Sequence, residues 1–327
     1  MKWTWDSGLF RRVTGGLLLA LAASAAHAGV VVVLNSGDAS VSLIDQDARS
    51  EIRRYHVGKE PHHLMALPDG SALIVANAAG NDLMFLDPKT GEPLRRLASI
   101  PDPYQIGYSP DKNWFVVAGN RLNRIDVYSA RGGELTLAKS LTAAKTPSHI
   151  TFSADSKIAF VSLQDSDQIA AVRLSDQVLM WKMKVGAMPA GLWMTPGDKH
   201  LLVGLTGGDS VEVIDWRAQQ SIKKIKTGKG AHNFRPLGDG RLLFVSNRVD
   251  NSVSVIDQLT LEKQYDISVP GGPDCMEVSA DGKQLWVTQR WIKQVAVVDV
   301  PQRKIVHTVK VGRSPHGIFF SNSAAWK

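Results

Sequence analysis

The 327-residue chain holds one cysteine, Cys275, so it can close no internal disulfide, and no C-x-x-C-H segment is present to attach a c-type haem. Aromatic residues make up 7% of the chain, and Trp291 is the one aromatic placed beside a loop arginine. The interleaved basic and aromatic stripe that single-stranded nucleic acid needs is therefore missing, and nucleic acid is not expected as a partner. No Pro/Ser-rich linker, charge block or low-complexity tract interrupts residues 29–327, which argues for one domain. The longest apolar stretch, Leu17–Ala25, is too short to span a membrane.

That stretch has the form of an export leader instead. Lys2, Arg11 and Arg12 precede it, and Ala26-His27-Ala28 supplies small residues at a cleavage position. Residues 1–28 are expected to be a signal peptide, the general secretory route fitting better than the twin-arginine one, and residues 29–327 a mature periplasmic domain, monomeric and without a membrane span. Of the net charge of +7, the leader carries two units, from three basic residues against Asp6. The remaining +5 favours an anionic partner.

What the chain does have is a repeat. His63, Gln105, His149, Gly191, Asn233, Cys275 and Gly317 follow one another at steps of 42, 44, 42, 42, 42 and 42 residues, each as the third residue of a Pro-x-x loop or its equivalent. A second series, Asp45, Asp87, Ser129, Arg173, Asp215, Asp257 and Asp299, ends an apolar run with steps of the same two sizes. The longer step coincides with an expanded turn at Arg131-Gly132-Gly133-Glu134. Each copy reads as four short strands rich in β-branched residues, separated by turns such as Asp69-Gly70, Asp239-Gly240 and Asp281-Gly282. Four strands in about 42 residues, repeated seven times, predict an all-β, seven-bladed β-propeller. The chain ends on one innermost strand and its mature part begins with the next strand outward, so the two termini are expected to complete one blade together.

Strand alternation then sorts the side chains, with the series beginning at His63 as position 0. Positions 1 and 3 are almost wholly apolar and are expected between blades. Position 2, comprising Met65, Thr151, Trp193, Arg235, Glu277 and Phe319 besides Gly107, is expected to line the central channel, with Arg235 and Glu277 paired across adjacent blades. The loops that enter the innermost strands carry five of the eight mature histidines: His62, His63, His149, His232 and His316. Gln105, Asn233, Asp274 and Cys275 share those loops, while the loops between second and third strands bring Arg121, Arg248, Arg290 and Trp291 to the same face. These thirteen residues form the candidate ligand site. Imidazoles can ligate a metal when they converge, which singles out His63, His149 and His232, and guanidinium forks clamp carboxylates or phosphates. Cys275 has no base beside it in the pattern and is read as an inert channel thiol.

The segments 243–257 (LFVSNRVDNSVSVID), 279–288 (SADGKQLWVT) and 311–317 (VGRSPHG) resemble the YVTN-type β-propeller repeat, over nearly all of residues 30–320. Through it the chain is distantly similar to the haem-binding propeller of dissimilatory nitrite reductase and its maturation relatives. That domain has eight blades where seven are counted here. Two functions follow as expectations. The first is a non-catalytic periplasmic scaffold binding an anionic small molecule or a partner protein at the His/Arg face. The second, implied by the resemblance, is a tetrapyrrole- or transition-metal-binding redox or maturation protein with His62, His63, His149, His232 or His316 as ligand or proton donor. A lactonase-type hydrolase is disfavoured, since the mouth positions hold no carboxylate cluster.

Overall fold

The middle strands are apolar without interruption, as in Val31-Val-Val-Leu34 and Leu73-Ile-Val-Ala76, and they are buried on both faces. Only a sheet packed between two other sheets accepts such strands. The outermost strands are instead largely exposed, Val178–Lys184 alternating between exposed and half-buried residues.

In a computed structural model that describes residues 29–320 and Ser323, the strands form seven four-stranded antiparallel sheets arranged as a propeller. The leader expected at residues 1–28 lies outside the described residues. Among the described residues, no helix is long and apolar enough to cross a membrane. The innermost strands are Pro61–Ala66, Pro103–Tyr108, Pro147–Phe152, Pro189–Met194, Ala231–Pro236, Pro273–Val278 and Pro315–Phe320. The last of these pairs with Val30–Asn35, Val31 facing Phe320 and Val33 facing Ile318, so blade 1 is built from both ends of the chain as expected. Blades 2 to 7 then follow in chain order, beginning at Pro61, Pro103, Pro147, Pro189, Ala231 and Pro273.

The core is divided among the blade interfaces. Between blades 7 and 1, for example, Trp286, Val295, Val297 and Val309 pack against Val31, Val33, Ile318 and Phe320. Fully burying each such side chain contributes about 1.5–3 kcal/mol. The repeated aspartates are turn residues: Asp45 Oδ1 accepts the N–H groups of Asp47 and Ala48 at 2.9 and 2.7 Å, and Asp87, Asp215 and Asp257 repeat the arrangement. The Asp-Gly turns place Gly70, Gly240 and Gly282 at φ of 71°, 70° and 71°, where a side chain would be strained.

Position 2 departs from expectation at Met65, Gly107, Trp193 and Phe319, whereas Arg235 borders a cavity in the channel. Met65, Trp193 and Phe319 lean on the core of the following blade instead of standing in the channel, and an added Cβ on Gly107 would lie 2.9 Å from Phe152 of the next blade. The reason is radial geometry: both faces of an innermost strand look at neighbouring blades, and its edge looks at the axis. Thr151 is half-buried in the same phase. Arg235 and Glu277 do pair across blades 6 and 7, at 2.9 Å, and Arg235 also donates to the Met276 carbonyl at 2.8 Å.

Candidate functional site

Every innermost strand enters its blade through an irregularity. In blade 4 the pairing Pro147–Leu163 is followed by Ile150–Val161, so three steps on the inner strand match two on its partner, and the same holds in blades 5, 6 and 7. In blades 2 and 3 two steps match one. Such a bulge re-aims the residues it contains. Positions −1 and 0, which alternation would send to opposite faces, both reach the channel mouth. His62 and His63 are consecutive, yet their Nδ1 atoms lie 2.9 Å apart. Elsewhere the lining stays thin: a Cβ on Gly191 would fall 2.0 Å from the His232 carbonyl oxygen, so only glycine lets blade 6 approach there.

The histidines form one cluster. The His62 ring lies between Tyr104 and His316, with centroids 4.0 and 3.7 Å away. His63 meets His316 and His149 edge-on at 4.8 and 5.3 Å, and His149 meets His232 at 5.0 Å. None of the five is more than 9% exposed. Burial holds their pKa values below the ordinary imidazole range, that of His63 at about 4, so all are neutral near pH 7. The expected open histidine face is thus a sealed plug.

Asp274, fully buried, is the charge centre beside the plug. Arg248 donates to Asp274 Oδ2 at 2.8 Å, Arg290 to the same oxygen at 3.2 Å, and Asn233 Nδ2 to Oδ1 at 3.2 Å. Burial opposes the carboxylate charge, but the guanidiniums win and hold the Asp274 pKa well below its usual value. Arg248 Nη2 also donates to His232 Nε2 at 2.8 Å. A guanidinium can only donate, so the His232 proton sits on Nδ1, which faces Asp274 Oδ1 at 3.3 Å without the alignment of a hydrogen bond. Cys275 lies beside this group, 3.6 Å from His316 Nδ1, and burial pushes its thiol pKa up. Deeper along the channel a cavity of about 160 Å³ is lined by His63, Gln105, Asn233, Cys275, Arg235 and Phe234, among others. Gln105 is anchored there, its Oε1 accepting the Ile150 N–H.

The structure therefore brings together His62, His63, His149, His232, Asn233, Arg248, Asp274, Cys275, Arg290 and His316. Of the other three expected members, Gln105 lines the cavity and two stand apart. Arg121 is drawn to Glu60 at 2.7 Å and Asp102 at 3.0 Å on the rim, and Trp291 is 53% exposed. The trio His63, His149 and His232 is also corrected: their rings run in a chain and do not surround one point. Among the described residues, the groups whose ligand atoms all come within 4.8 Å are His62, His63 and His316, and Asp274, Cys275 and His316. Tyr104 and Ser148, absent from the expected site, complete the cluster; Ser148 Oγ lies 2.9 Å from His149 Nδ1. Both occupy position −1, the position of His62, and that equivalence was the available signal.

Solved structures share the shape. A functionally unknown protein from Desulfotomaculum acetoxidans superposes with a TM-score of 0.76 at 14% identity, covering 89% of this chain and 98% of its own. The periplasmic gluconolactonase PpgL of Pseudomonas aeruginosa gives 0.74 at 19% identity over 89% and 98%. Dihydro-haem d1 dehydrogenase NirN, in its complex with DHE, gives 0.66 at 17% identity over 89% and 75%. These likenesses are of fold alone. No curated protein matches the chain. A family model, however, matches residues 7–325, nearly the whole length. The chain belongs to the YNCE-like beta-propeller family.

Proposed function

We propose that the protein is a non-catalytic periplasmic binding scaffold that takes a small carboxylate- or phosphate-bearing molecule where Arg248 and Arg290 meet. The observation that carries this is a charge imbalance. Two guanidiniums share the single carboxylate of Asp274, the five imidazoles beside them are neutral, and the site is left with one net positive charge. Both arginine side chains keep about a fifth of their surface, 20% and 24%, towards solvent, while Arg248 Nε is buried without a hydrogen-bond partner. An anion at this spot gains a charge-assisted fork and offsets the imbalance.

The packing of the plug favours a small acid over a tetrapyrrole, since the histidine rings lie against one another with no slot for a macrocycle. The likeness to a periplasmic gluconolactonase makes sugar acids the first compounds to try. Calorimetric titration with gluconate, other organic acids and phosphate is expected to give one saturable site, lost in Arg290→Gln. Uniformly weak heats, or binding that survives Arg248→Gln and Arg290→Gln, would refute the reading. Export is tested separately: the mature chain should begin at Gly29 and fractionate with the periplasm.

A further inference from the structure

The nitrogens of the histidine plug are not all used by the protein. A carbonyl oxygen only accepts, so the contacts of His63 Nδ1 with the Tyr104 carbonyl (2.8 Å) and of His316 Nδ1 with the His62 carbonyl (2.6 Å) fix both ring protons on Nδ1. Metal-binding imidazoles are set in this way by their neighbours. The two Nε2 atoms are then bare lone pairs, and both are buried without a hydrogen-bond partner. His62 Nδ1, 2.9 Å from the protonated His63 Nδ1, carries a lone pair that shares this one N–H with the Tyr104 carbonyl. His316 Nε2 also faces Asp274 Oδ2 at 3.6 Å, a lone pair set against a carboxylate. Crowded buried acceptors call for a cation.

We propose that His62, His63 and His316 bind a monovalent copper ion, with the Cys275 sulfur, 3.6 Å from His316 Nδ1, beside the group. One ring nitrogen from each histidine lies within 4.8 Å of the others, and His316 is shared with the group formed by Asp274 and Cys275. Nitrogens about 2.0 Å from a common ion stand roughly 3.4–3.6 Å apart, so the rings close by about an ångström when it enters. The donor set chooses the ion. Neutral imidazoles suit copper, the buried Cys275 thiol stays protonated, and the carboxylate is already engaged by two guanidiniums. Arg248 and Arg290 oppose any added positive charge, which Asp274 cancels by half, so a singly charged ion is favoured over a divalent one. The site adjoins the guanidinium pair through His316 and Asp274, and His63→Ala distinguishes copper binding from the anion binding lost in Arg290→Gln.

The test is anaerobic titration of the purified propeller with copper(I) in the presence of a chromogenic copper(I) chelator, with silver(I) as an air-stable probe. One equivalent should be withheld from the chelator. His63→Ala and His316→Ala should each weaken binding by more than about 100-fold, beyond the 10–100-fold typical of losing a residue that only supports a ligand. His307→Ala, an exposed histidine on the outermost strand of blade 7, should change it by less than about threefold. X-ray absorption of copper-loaded wild-type protein, which needs no variant to fold, should show nitrogen ligands in three- or four-coordination. No copper held against the chelator, retention unchanged in His63→Ala and His316→Ala, or preference for zinc(II) over copper(I) would each overturn the proposal.

Discussion

His62 and His316, 254 residues apart in the chain, lie face to face with ring centroids 3.7 Å apart, and the backbone carbonyl of one accepts the Nδ1–H of the other. The contact exists because the C-terminal strand is the innermost strand of blade 1 and so neighbours the innermost strand of blade 2. The plug is therefore also a fastening across the ring closure. Replacing His316 by Ala removes a fully buried ring and leaves the His62 carbonyl without its donor. A loss of about 3 kcal/mol is expected, read as a lower urea midpoint with an unchanged slope. A midpoint equal to wild type would show that closure does not draw on this contact.

Acid should open the plug. Burial depresses the His63 pKa to about 4 from 6.5, and its four partners are depressed as well. The unfolded chain thus binds more protons than the folded one between pH 6.5 and about 4, so stability falls as pH drops through that window. Below it both states are protonated and the His63 contribution stops changing. His63 alone accounts for about 3 kcal/mol. Urea unfolding from pH 7 to 4.5 should show uptake of more than one proton, reduced in His63→Gln. A flat profile across this range would mean that the imidazoles are hydrated and not sealed.

Asp274 holds two guanidiniums, Asn233 and, at longer range, two imidazoles. Asp274→Asn strands Arg248 and Arg290 in a poorly hydrated place, and breaking a buried pair in this way costs about 3–5 kcal/mol. Added formate or phosphate should restore part of the melting temperature in the variant and raise that of the wild type less. Equal increments in both proteins would place the anion effect elsewhere.

The blades were legible because the repeat step is nearly invariant and because turn aspartates such as Asp45 and Asp257 recur with it. Closure was legible from the strand types at the two ends. Radial depth was not. A loop sequence such as Pro147-Ser148-His149 tells which end of the disc carries a histidine, but the bulge that turns both position −1 and position 0 to the axis follows from hydrogen-bond register. The expected exposed mouth therefore proved to be a buried cluster. Arg121 misled for a related reason: it sits in the same loop type as Arg248, and only the acids of its own neighbourhood, Glu60 and Asp102, divert it.

That difference separates the two arginines by experiment. Arg121 is 46% exposed; its pair with Glu60 lies at the rim, where such pairs contribute about 0–1 kcal/mol, and the buried Asp102 keeps the backbone N–H groups of residues 121 and 122 when the side chain is cut back. Arg121→Ala should leave both melting and anion binding close to wild type, whereas Arg290→Ala should abolish binding. Matching losses in the two variants would extend the site to the rim and remove the special standing of Asp274.

The strand Pro315–Phe320 tests what closes the ring. Ending the chain at Gly312 removes Ile318, Phe319 and Phe320, all at most 5% exposed. At about 1.5–3 kcal/mol each this is roughly 5–9 kcal/mol, comparable with the whole stability of an ordinary domain at about 5–15 kcal/mol. It also uncovers the edge of Val30–Asn35, whose free N–H and C=O groups invite pairing between molecules. The truncated chain is expected to aggregate and to lose cooperative unfolding. A permutant that places residues 313–320 ahead of Gly29 through a short turn rebuilds blade 1 in the order of the other six blades, and it should melt within about 5 °C of the parent, a shift of roughly 1–2 kcal/mol. If the truncated chain melted cooperatively at the parent temperature, the sheet of blade 1 would not depend on the C-terminal strand, and the fastening assigned to His62 and His316 would fall with it.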